Sequence, residues 1–345
     1  MKTDLQNRPV EATRVTADVG TMKAIVQDKY GEADDVLRLD EIVKPEIGED
    51  EVLVRVHAAG LHIGDWHVMT GLPYMLRIVG FGLRVPKARV RGMDVAGSVE
   101  AVGKNVTRFQ LGDEVFGIGD GSFAEYVCAR EDKLARKPAK LNFEQAAAVP
   151  TSAFGALQGL RDKGGIQPGQ RVLIIGASGG VGMFAVQMAK SFGAEVTGVC
   201  STTRLDMVRS NGADHVIDYT KEDFTRSGQR YDLMLDMGGH RSLSDLRRAL
   251  RPKGTLVIVG GEGGGRFLGG TDRWIRALAL SPFVSQSLGP LASTENKDDL
   301  MTAKELIDAG ELTPVIDRSY PLSEVPAAFR YMEEGHGRGK VVITV

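Results

Sequence analysis

The chain has 345 residues, which is enough for two domains with a large buried core. Its 43 Lys and Arg residues nearly balance 45 Asp and Glu residues, which argues against a nucleic-acid-binding protein at the level of the whole chain. The two cysteines, Cys128 and Cys200, can form neither a disulfide framework nor a four-cysteine zinc site, so a reducing, cytoplasmic compartment is the default prediction.

The beginning of the chain is predicted to be a flexible tail. Residues 1–20 are polar and mixed in charge, and they lack the apolar core of a signal peptide. No apolar run in the chain approaches the roughly 18 residues of a membrane-spanning helix. We therefore expect no stable insertion into a membrane.

Residues 21–150 are predicted to form a compact β-rich domain, because short alternating strands are separated by glycine turns. Residues 58–71 are predicted to be a polar loop, and residues 72–92 form an apolar stretch with five cations and no acids. Asn142, with Gln145 three residues later, is predicted to cap a helix that Pro150 ends. The predicted strands cover residues 22–27, 37–43, 51–57, 93–102, 106–110, 114–118 and 122–128.

Residues 171–204 carry the strongest motif, in which an apolar strand, the glycine turn GASGGVG, a helix and a second strand follow one another. This order is half of a dinucleotide-binding unit. The turn needs glycines because side chains would block a pyrophosphate, and the helix N-terminus offers free N–H groups to phosphates. The alternative is a tight strand–helix turn without a ligand. The candidate cofactor contacts in the turn are Gly176, Ser178, Gly179, Gly180, Val181 and Gly182.

The end of the second strand of this unit predicts NADPH as the cofactor. NAD enzymes usually carry Asp or Glu about 20 residues after the glycines, to hold the ribose 2′-hydroxyl. Residues 200–204 contain no carboxylate but offer Ser201, Thr202 and Arg204, which suit a 2′-phosphate. Asp206 is the nearest acid in the sequence and is expected on the exposed face of the next helix. The alternative for Arg204 is a solvated residue at a helix start.

The alternation of strands and helices continues after this unit and predicts an α/β fold with a doubly wound parallel sheet. Helices are predicted at residues 151–160, 205–210, 243–250 and 274–280, and strands at residues 213–219, 231–237, 255–259 and 284–288. The remaining chain is predicted to form helices at residues 297–309 and 325–333, a short strand near Val315 and a final strand at residues 340–345.

Four segments resemble one protein family. The segments GMDVAGSVEAVGKNVTRFQLGDEVFG, GASGGVG, GADHVIDYTKEDF and GHGRGKVVITV are similar to the medium-chain dehydrogenase/reductase superfamily, and within it to the zinc-independent quinone oxidoreductase branch. The resemblance implies a Rossmann NADP-binding domain at residues 151–294, inserted into a GroES-like catalytic domain at residues 21–150 and 295–345. The active site would be the cleft between the two domains, and a homodimer is expected.

The same resemblance adds five cofactor contacts. It implies that Thr151 lies against the nicotinamide and that Tyr219 lies beside the phosphate of the adenine ribose. The alternative for Tyr219 is an aromatic residue in the core at a strand end. Gly260 and Gly261 would end a strand under the nicotinamide, and Lys340 would lie near the cofactor.

The resemblance also bears on zinc. Zinc-dependent relatives carry a Cys where this chain has His62, a His–Glu pair at Met93 and Asp94, and a further Cys near Val149. Because a catalytic zinc site needs three protein ligands, no metal is expected. His62 and His67 could form a metal-binding pair, but polar residues lining a cleft are the preferred interpretation.

The predicted reaction is hydride transfer from NADPH to a small hydrophobic quinone or α,β-unsaturated carbonyl compound, since such acceptors need little help from a Lewis acid. His62, Asp65, His67 and Tyr74 are the candidates for orienting the substrate or delivering a proton, and structural loop residues are the alternative. Two other functions stay open, a zinc-type alcohol dehydrogenase and a non-catalytic NADPH-binding protein.

Two apolar stretches, residues 72–91 and 263–288, are longer than a minimal member of the family needs. They are predicted to form a lid over a bulky hydrophobic substrate. A dimer or domain contact is the second interpretation, and contact with a membrane surface is the third.

Overall fold

The computed structural model describes residues 20–260, 265–335 and 337–345, which fold into an α/β structure with two large sheets. The predicted tail therefore lies almost entirely outside the described residues. Within the described part of the chain, no helix is long and apolar enough to cross a membrane.

The elements are numbered in chain order. The first half contains β1 (Thr21–Gln27), α1 (Ala33–Val36), β2 (Leu37–Val43), β3 (Glu51–Leu61), α2 (Ile63–Thr70), α3 (Tyr74–Leu76), β4 (Asp94–Val102), β5 (Glu114–Ile118), β6 (Tyr126–Arg130), β7 (Leu134–Arg136), α4 (Phe143–Ala147) and α5 (Pro150–Gln158). The second half contains β8 (Arg171–Ile175), α6 (Gly180–Ser191), β9 (Glu195–Cys200), α7 (Leu205–Ser210), β10 (His215–Asp218), β11 (Tyr231–Asp236), α8 (Leu243–Ala249), β12 (Leu250–Ile258), α9 (Gly265–Leu268), α10 (Thr271–Leu280), β13 (Ser287–Pro290), α11 (Lys297–Ala309), β14 (Ile316–Pro321), α12 (Val325–Glu333) and β15 (Lys340–Thr344).

The first large sheet has seven strands, and β3 is its longest member. The order is β14-β15-β3-β4-β5-β7, with β6 also paired to β3. The last strand of the chain, β15, runs antiparallel to the second half of β3. The C-terminal residues therefore return to the sheet that the first third of the chain builds.

The second large sheet has six parallel strands in the order β10-β9-β8-β11-β12-β13. The chain moves outward from β8 in one direction and then returns to place β11 on the other side of β8. Ligands of such sheets bind outside the carboxyl ends of the strands where the order reverses. Here that point is the edge formed by Gly176 after β8 and Met237 after β11.

The loop predicted in the β-rich half differs in the structure. Residues 58–71 were expected to be a loop, but β3 continues to Leu61 and α2 begins at Ile63. Residues 58–61 lie between β4 on one side and β15 on the other, and all four are buried. A strand buried in this way lacks the alternation of polar and apolar residues by which strands were predicted. His62 is the N-cap residue of α2, and its backbone N–H donates to the Asp65 carboxylate at 3.0 Å.

The strand predicted at residues 106–110 is wrong, because this segment consists of turns and unpaired backbone. The backbone N–H groups of Thr107 and Arg108 donate to the Glu131 carboxylate instead of to a neighbouring strand. The strand predicted at residues 122–128 begins later, at Tyr126, since residues 123–125 exchange hydrogen bonds with β1 outside the large sheet.

The helix cap predicted at Asn142 is confirmed. Asn142 Oδ1 accepts from the Gln145 N–H at 2.8 Å, and Gln145 Oε1 accepts from the Asn142 N–H at 3.1 Å. The helix then ends, and Pro150 occupies the first turn of α5, where a missing N–H costs nothing.

Candidate functional site

A cleft of about 530 Å³ lies between the two large sheets. Its volume is in the range of small-molecule and cofactor sites. Residues from the end of β3, the start of α5, the glycine turn after β8 and the last strand line it. They include His62, Met93, Thr151, Ser152, Gly179, Gly180, Val181, Arg204, Glu295 and Lys340.

The glycine turn has the geometry that a dinucleotide requires. A Cβ on Gly182 would lie 2.1 Å from the carbonyl oxygen of Gly176, and Gly176 itself has φ of 85°, so the turn is closed to larger residues. Helix α6 begins directly at the cleft. Its N-cap residue is Gly179, which has no side chain to accept hydrogen bonds from the first turn. The first N–H groups and the positive dipole end of α6 therefore remain available to a pyrophosphate.

Arg204 reaches into the cleft from the end of β9. Its guanidinium donates to Ser178 Oγ at 3.3 Å and to the carbonyl oxygen of Gly335. Both contacts are to neutral oxygens, so the charge of Arg204 is not neutralised by them. A dianionic 2′-phosphate is the kind of group that such a guanidinium binds.

A carboxylate that the sequence window did not contain lies beside this position. Asp218 ends β10 and is paired in register with Cys200, and its oxygens accept hydrogen bonds from the hydroxyl groups of Thr202 and Thr220. These hydrogen bonds lower the pKa of Asp218 to about 2. The hydroxyl proton of Thr202 is thus used within the protein, which leaves Ser201 and Arg204 as the donors of the predicted set. Asp218 could have been placed beside this position from the pairing of the two parallel strands, but not from its distance along the chain.

The other predicted contacts of the cofactor are spread along the sheet edge. Tyr219 follows β10 and is 54% exposed, so it does not lie in the core. Gly260 follows β12, and its N–H donates to the carbonyl oxygen of Asp236 at 3.3 Å. Gly261 lies outside the described residues.

A buried polar group closes the base of the cleft. The N–H and the hydroxyl of Thr151 both donate to Asp94 Oδ1, at 3.0 and 2.5 Å. Lys340 Nζ lies 3.5 Å from Asp94 Oδ2, and Lys340 and Asp94 are 2% and 0% exposed. A Cβ on Gly180 would lie 3.1 Å from Lys340 Cδ, so the lysine side chain runs beside the glycine turn. The sequence predicted that Lys340 lies near the cofactor, but it did not predict that Lys340 pairs with Asp94.

His62 and Asp65 form a pair at the side of the cleft. His62 lines the cleft, and its Nε2 lies 3.5 Å from Asp65 Oδ2 behind it. Neither ring nitrogen of His62 has a hydrogen-bond partner among the described residues. Asp65 is 3% exposed, and this burial raises the pKa of its carboxyl group. The pair can therefore hold a proton next to the cleft.

The other two catalytic candidates lie elsewhere. His67 Nδ1 is 2.7 Å from the carbonyl oxygen of Leu72, and the residue borders a separate hollow of about 250 Å³. The ring of Tyr74 packs edge-on against Phe267, with 6.3 Å between ring centroids. The structure thus separates these two residues from His62 and brings the two apolar stretches, before β4 and around α9, into contact with each other.

Metal ligands are not grouped in this site. Among residues 20–260, 265–335 and 337–345, no group of three or more His, Cys, Asp or Glu side chains is arranged to hold a metal ion. Burial raises the pKa of the Cys128 and Cys200 thiols to about 11, which disfavours the thiolate form that metals bind.

Two protein families match different parts of the chain. The family described as "Alcohol dehydrogenase GroES-like domain" matches residues 48–139, and the one described as "Zinc-binding dehydrogenase" matches residues 211–343. The first match covers most of the strands in the seven-stranded sheet. The second covers the later part of the parallel sheet and the C-terminal strands.

Similar proteins match over almost the whole chain. The mitochondrial NAD(P)H oxidoreductase RTN4IP1 of Mus musculus is 33% identical over 94% of this chain and 89% of its own length. The chloroplastic NADPH-dependent alkenal/one oxidoreductase of Arabidopsis thaliana is 35% identical over 96% of this chain and 82% of its own length.

Solved structures show the same fold. The quinone oxidoreductase from Coxiella burnetii superposes with a TM-score of 0.83 at 30% identity, covering 94% of this chain and 100% of its own. A structure described as an NAD-dependent alcohol dehydrogenase gives a TM-score of 0.80 at 29% identity over 94% of this chain and 100% of its own. With its Rossmann-type parallel sheet and its GroES-like sheet, the chain belongs to the medium-chain dehydrogenase/reductase superfamily, in its quinone oxidoreductase-like branch, and is an oxidoreductase with a nicotinamide cofactor.

Proposed function

We propose that this oxidoreductase uses NADPH to reduce quinones or α,β-unsaturated carbonyl compounds and that it does so without zinc. The observation that carries the proposal is the cleft itself, in which a glycine turn, an unpaired arginine charge and a buried His–Asp pair meet. Relatives named as an alkenal/one oxidoreductase and a quinone oxidoreductase support the same class of acceptor.

The residues that would hold the cofactor divide into two groups. The N–H groups at the start of α6 would bind the pyrophosphate, and Arg204 with Ser201 would bind the 2′-phosphate. At the base of the cleft, the hydrogen bonds from Thr151 to Asp94 fix the start of α5 where the nicotinamide is expected. When bound, the nicotinamide supplies a hydride from its C4 atom.

His62 and Asp65 are the groups that we propose to supply the proton. Reduction of an enone at its β-carbon leaves negative charge on the oxygen, and a positioned acid stabilises it. The pKa of Asp65 is raised by burial, which favours its protonated form, and His62 lies between that carboxyl group and the cleft. Tyr74 and His67 lie outside the cleft, near the contact between the two apolar stretches, and would contact only a substrate that extends beyond the cleft, as part of a lid.

The residues at the expected ligand positions support the proposal that the protein works without zinc. Met93 lines the cleft, and the fully buried Val149 precedes α5, so neither supplies a usual zinc ligand. Without a Lewis acid, the acceptor must already be electron-poor, which fits quinones and enones and disfavours simple alcohols.

We further propose a homodimer in the cytoplasm. Strand β13 is an edge of the parallel sheet, and several large apolar side chains are exposed near it. They include Ile275, Leu278 and Phe283, at 58%, 53% and 84% exposure. Such a patch favours contact with another protein surface. Light scattering coupled to gel filtration would measure the mass, and a monomer at micromolar concentration would contradict the dimer.

The decisive experiment follows NADPH oxidation with a panel of quinones and enones, in buffer with and without a chelator. We expect turnover with several members of the panel and no effect of the chelator. Stoichiometric zinc together with oxidation of simple primary alcohols would establish the alcohol dehydrogenase alternative. Tight NADPH binding without turnover on any acceptor would establish the non-catalytic alternative.

A further inference from the structure

A second cavity, of about 400 Å³, lies beside the cofactor cleft and shares Asp65 and Met93 with the site described above, but the proposed function assigns no ligand to it. We call it the Arg91 cavity. It is enclosed by α2, by the turn at Gly121 and by the segment that precedes β4. Its walls include Asp65, Phe81, Lys87, Arg91, Met93 and Asp120. Met93 also lines the cofactor cleft, so the two spaces share this residue.

Arg91 is a buried cation that forms no close ion pair with any described carboxylate, although Asp65 of the same cavity wall interacts with it electrostatically. It is 3% exposed, and its guanidinium donates to the backbone carbonyl oxygen of Ala88. Its Nε has no hydrogen-bond partner among the described residues, and no carboxylate of those residues forms an ion pair with it. A buried guanidinium in this state is costly, since charges inside proteins are normally paired.

The backbone holds Arg91 in this place. Its N–H donates to the carbonyl oxygen of Ile25, and its own carbonyl oxygen accepts from the N–H of Phe123. Arg91 is thus tied to β1 on one side and to the segment before β6 on the other.

Arg91 is the cation at the buried end of the cavity, and Asp65 is the acid of the same wall that interacts with it. Lys87 adds a second cation at the exposed part of the wall, where Asp120 is the opposing acid. Asp65, at the inner wall, has a pKa raised by burial, which favours its neutral form. The fully buried Ser122 Oγ also lacks a partner among the described residues and lies against Gly92 of the wall, so a second donor is present.

We propose that the Arg91 cavity binds the carboxylate of a small organic acid. The carboxylate would accept hydrogen bonds from Arg91, and the apolar part of the acid would lie against Val68, Phe81 and Met93. The acid is either the distal end of the reducible substrate, reaching past Met93, or a separate ligand. The first case rests on the proposed function, and the second does not.

The first experiment measures binding without turnover, using octanoate as the probe and 1-octanol as the matched neutral control. We expect octanoate to raise the melting temperature of the full-length protein and octanol to raise it much less. The Arg91→Gln variant should bind octanoate about tenfold more weakly or worse, and Arg91→Lys should retain part of the affinity. Arg84→Ala removes an exposed cation of the same segment outside the cavity and should bind octanoate normally.

If Arg91→Gln does not fold, octanoate binding is measured on Lys87→Ala instead. Lys87 is exposed, so its loss should not unfold the protein. It must weaken octanoate binding measurably while Arg84→Ala does not. Octanoate that binds no better than octanol, or that binds equally to the unmodified protein and the cavity variants, overturns the proposal.

The second experiment compares an enone with a terminal carboxylate and the methyl ester of the same compound. If the carboxylate belongs to the substrate, the acid-to-ester ratio of kcat/KM should fall about tenfold in Arg91→Gln. An unchanged ratio with intact octanoate binding identifies a separate ligand. Octanoate binding without reduction of any enone would contradict the proposed function but support the carboxylate site. Reduction of enones without octanoate binding would support the proposed function but contradict the carboxylate site.

Discussion

Arg204 is the residue on which the choice between NADPH and NADH depends. Its guanidinium makes two contacts to neutral oxygens, so a 2′-phosphate would add the missing anionic partner. We expect Arg204→Ala to weaken NADPH binding by about 1.5–3 kcal/mol, the value of a hydrogen bond to a charged group, and to leave NADH binding nearly unchanged. Fluorescence titration of both cofactors measures this difference.

The matched control for Arg204 is Arg209→Ala, which removes an exposed arginine that is paired with Asp206 on α7. It should change neither affinity. The assignment is wrong if Arg204→Ala weakens NADH as strongly as NADPH, or if the unmodified protein binds both cofactors equally well.

Asp65 is expected to make stability depend on pH. Burial raises its pKa above the ordinary value of 3.8, against the opposing effects of His62 and Lys340 and together with that of Asp94. A raised folded-state pKa stabilises the protein at low pH, and this stability is lost as the pH rises through the folded-state value. Asp65→Asn should therefore gain in melting temperature relative to the unmodified protein as the pH rises from 4 to 8.

The gain for Asp65→Asn should amount to about 1.4 kcal/mol for each unit that separates the folded and unfolded pKa values. Asp206→Asn, at a fully exposed carboxylate on α7, should show no comparable trend. A melting-temperature difference for Asp65→Asn that stays flat or shrinks over this pH range would contradict the assignment of a raised pKa.

At the scale of elements, the turn between β8 and α6 depends on one close approach. A Cβ at Gly182 would lie 2.1 Å from the carbonyl oxygen of Gly176, whereas a Cβ at Gly179 would lie 3.5 Å from the same atom. We expect Gly182→Ala to destabilise the protein by about 3 kcal/mol or more, because backbone atoms must move. Gly179→Ala should cost about 0.5–1 kcal/mol, as for other N-cap residues changed to Ala.

Urea unfolding of the two glycine variants measures this contrast. Because the two positions share one turn, a general sensitivity of the turn would affect both equally. Equal free energies of unfolding for the two variants would show that the approach of Gly182 to Gly176 does not limit this turn.

At the scale of the whole molecule, Lys340 and Asp94 join the end of the chain to its first third at the base of the cleft. Both side chains are buried, so replacing Lys340 with Met would leave an unpaired carboxylate inside the protein. We expect Lys340→Met to cost about 3–5 kcal/mol of unfolding free energy. Adding Asp94→Asn to Lys340→Met should recover part of this loss.

A double-mutant cycle in urea measures the coupling between the two residues, which we expect to be about 0.5–3 kcal/mol. Lys304→Met provides a control, because its partner, Asp308, is four residues away on the surface of α11. That pair should contribute about 0.3–0.5 kcal/mol. Additive effects of the Lys340 and Asp94 changes would show that the two side chains do not stabilise each other.

Local patterns in the sequence determined most elements of this protein. The helix at Lys297–Ala309 and the glycine turn before α6 depend on periodicity, caps and backbone freedom, all of which act between residues close in the chain. The same patterns misjudged residues 58–61, because strands on both sides bury them and erase the alternation that marks an exposed strand. They also predicted a strand at residues 106–110, where the Glu131 carboxylate takes the backbone hydrogen bonds instead.

In the candidate site, too, some features were predictable from the sequence and others depended on tertiary structure. The glycines of the turn and the hydroxyl and guanidinium groups of residues 200–204 indicate phosphate binding by their residue types alone. A nicotinamide cofactor was therefore predictable from the sequence. Tertiary structure alone decided that Asp218 meets Thr202, that Asp94 meets Lys340 across 246 positions, and that the buried Arg91 Nε has no hydrogen-bond partner among the described residues. The reason is physical, since the pairing of strands and the packing of two sheets bring together side chains whose separation along the chain gives no sign of their contact.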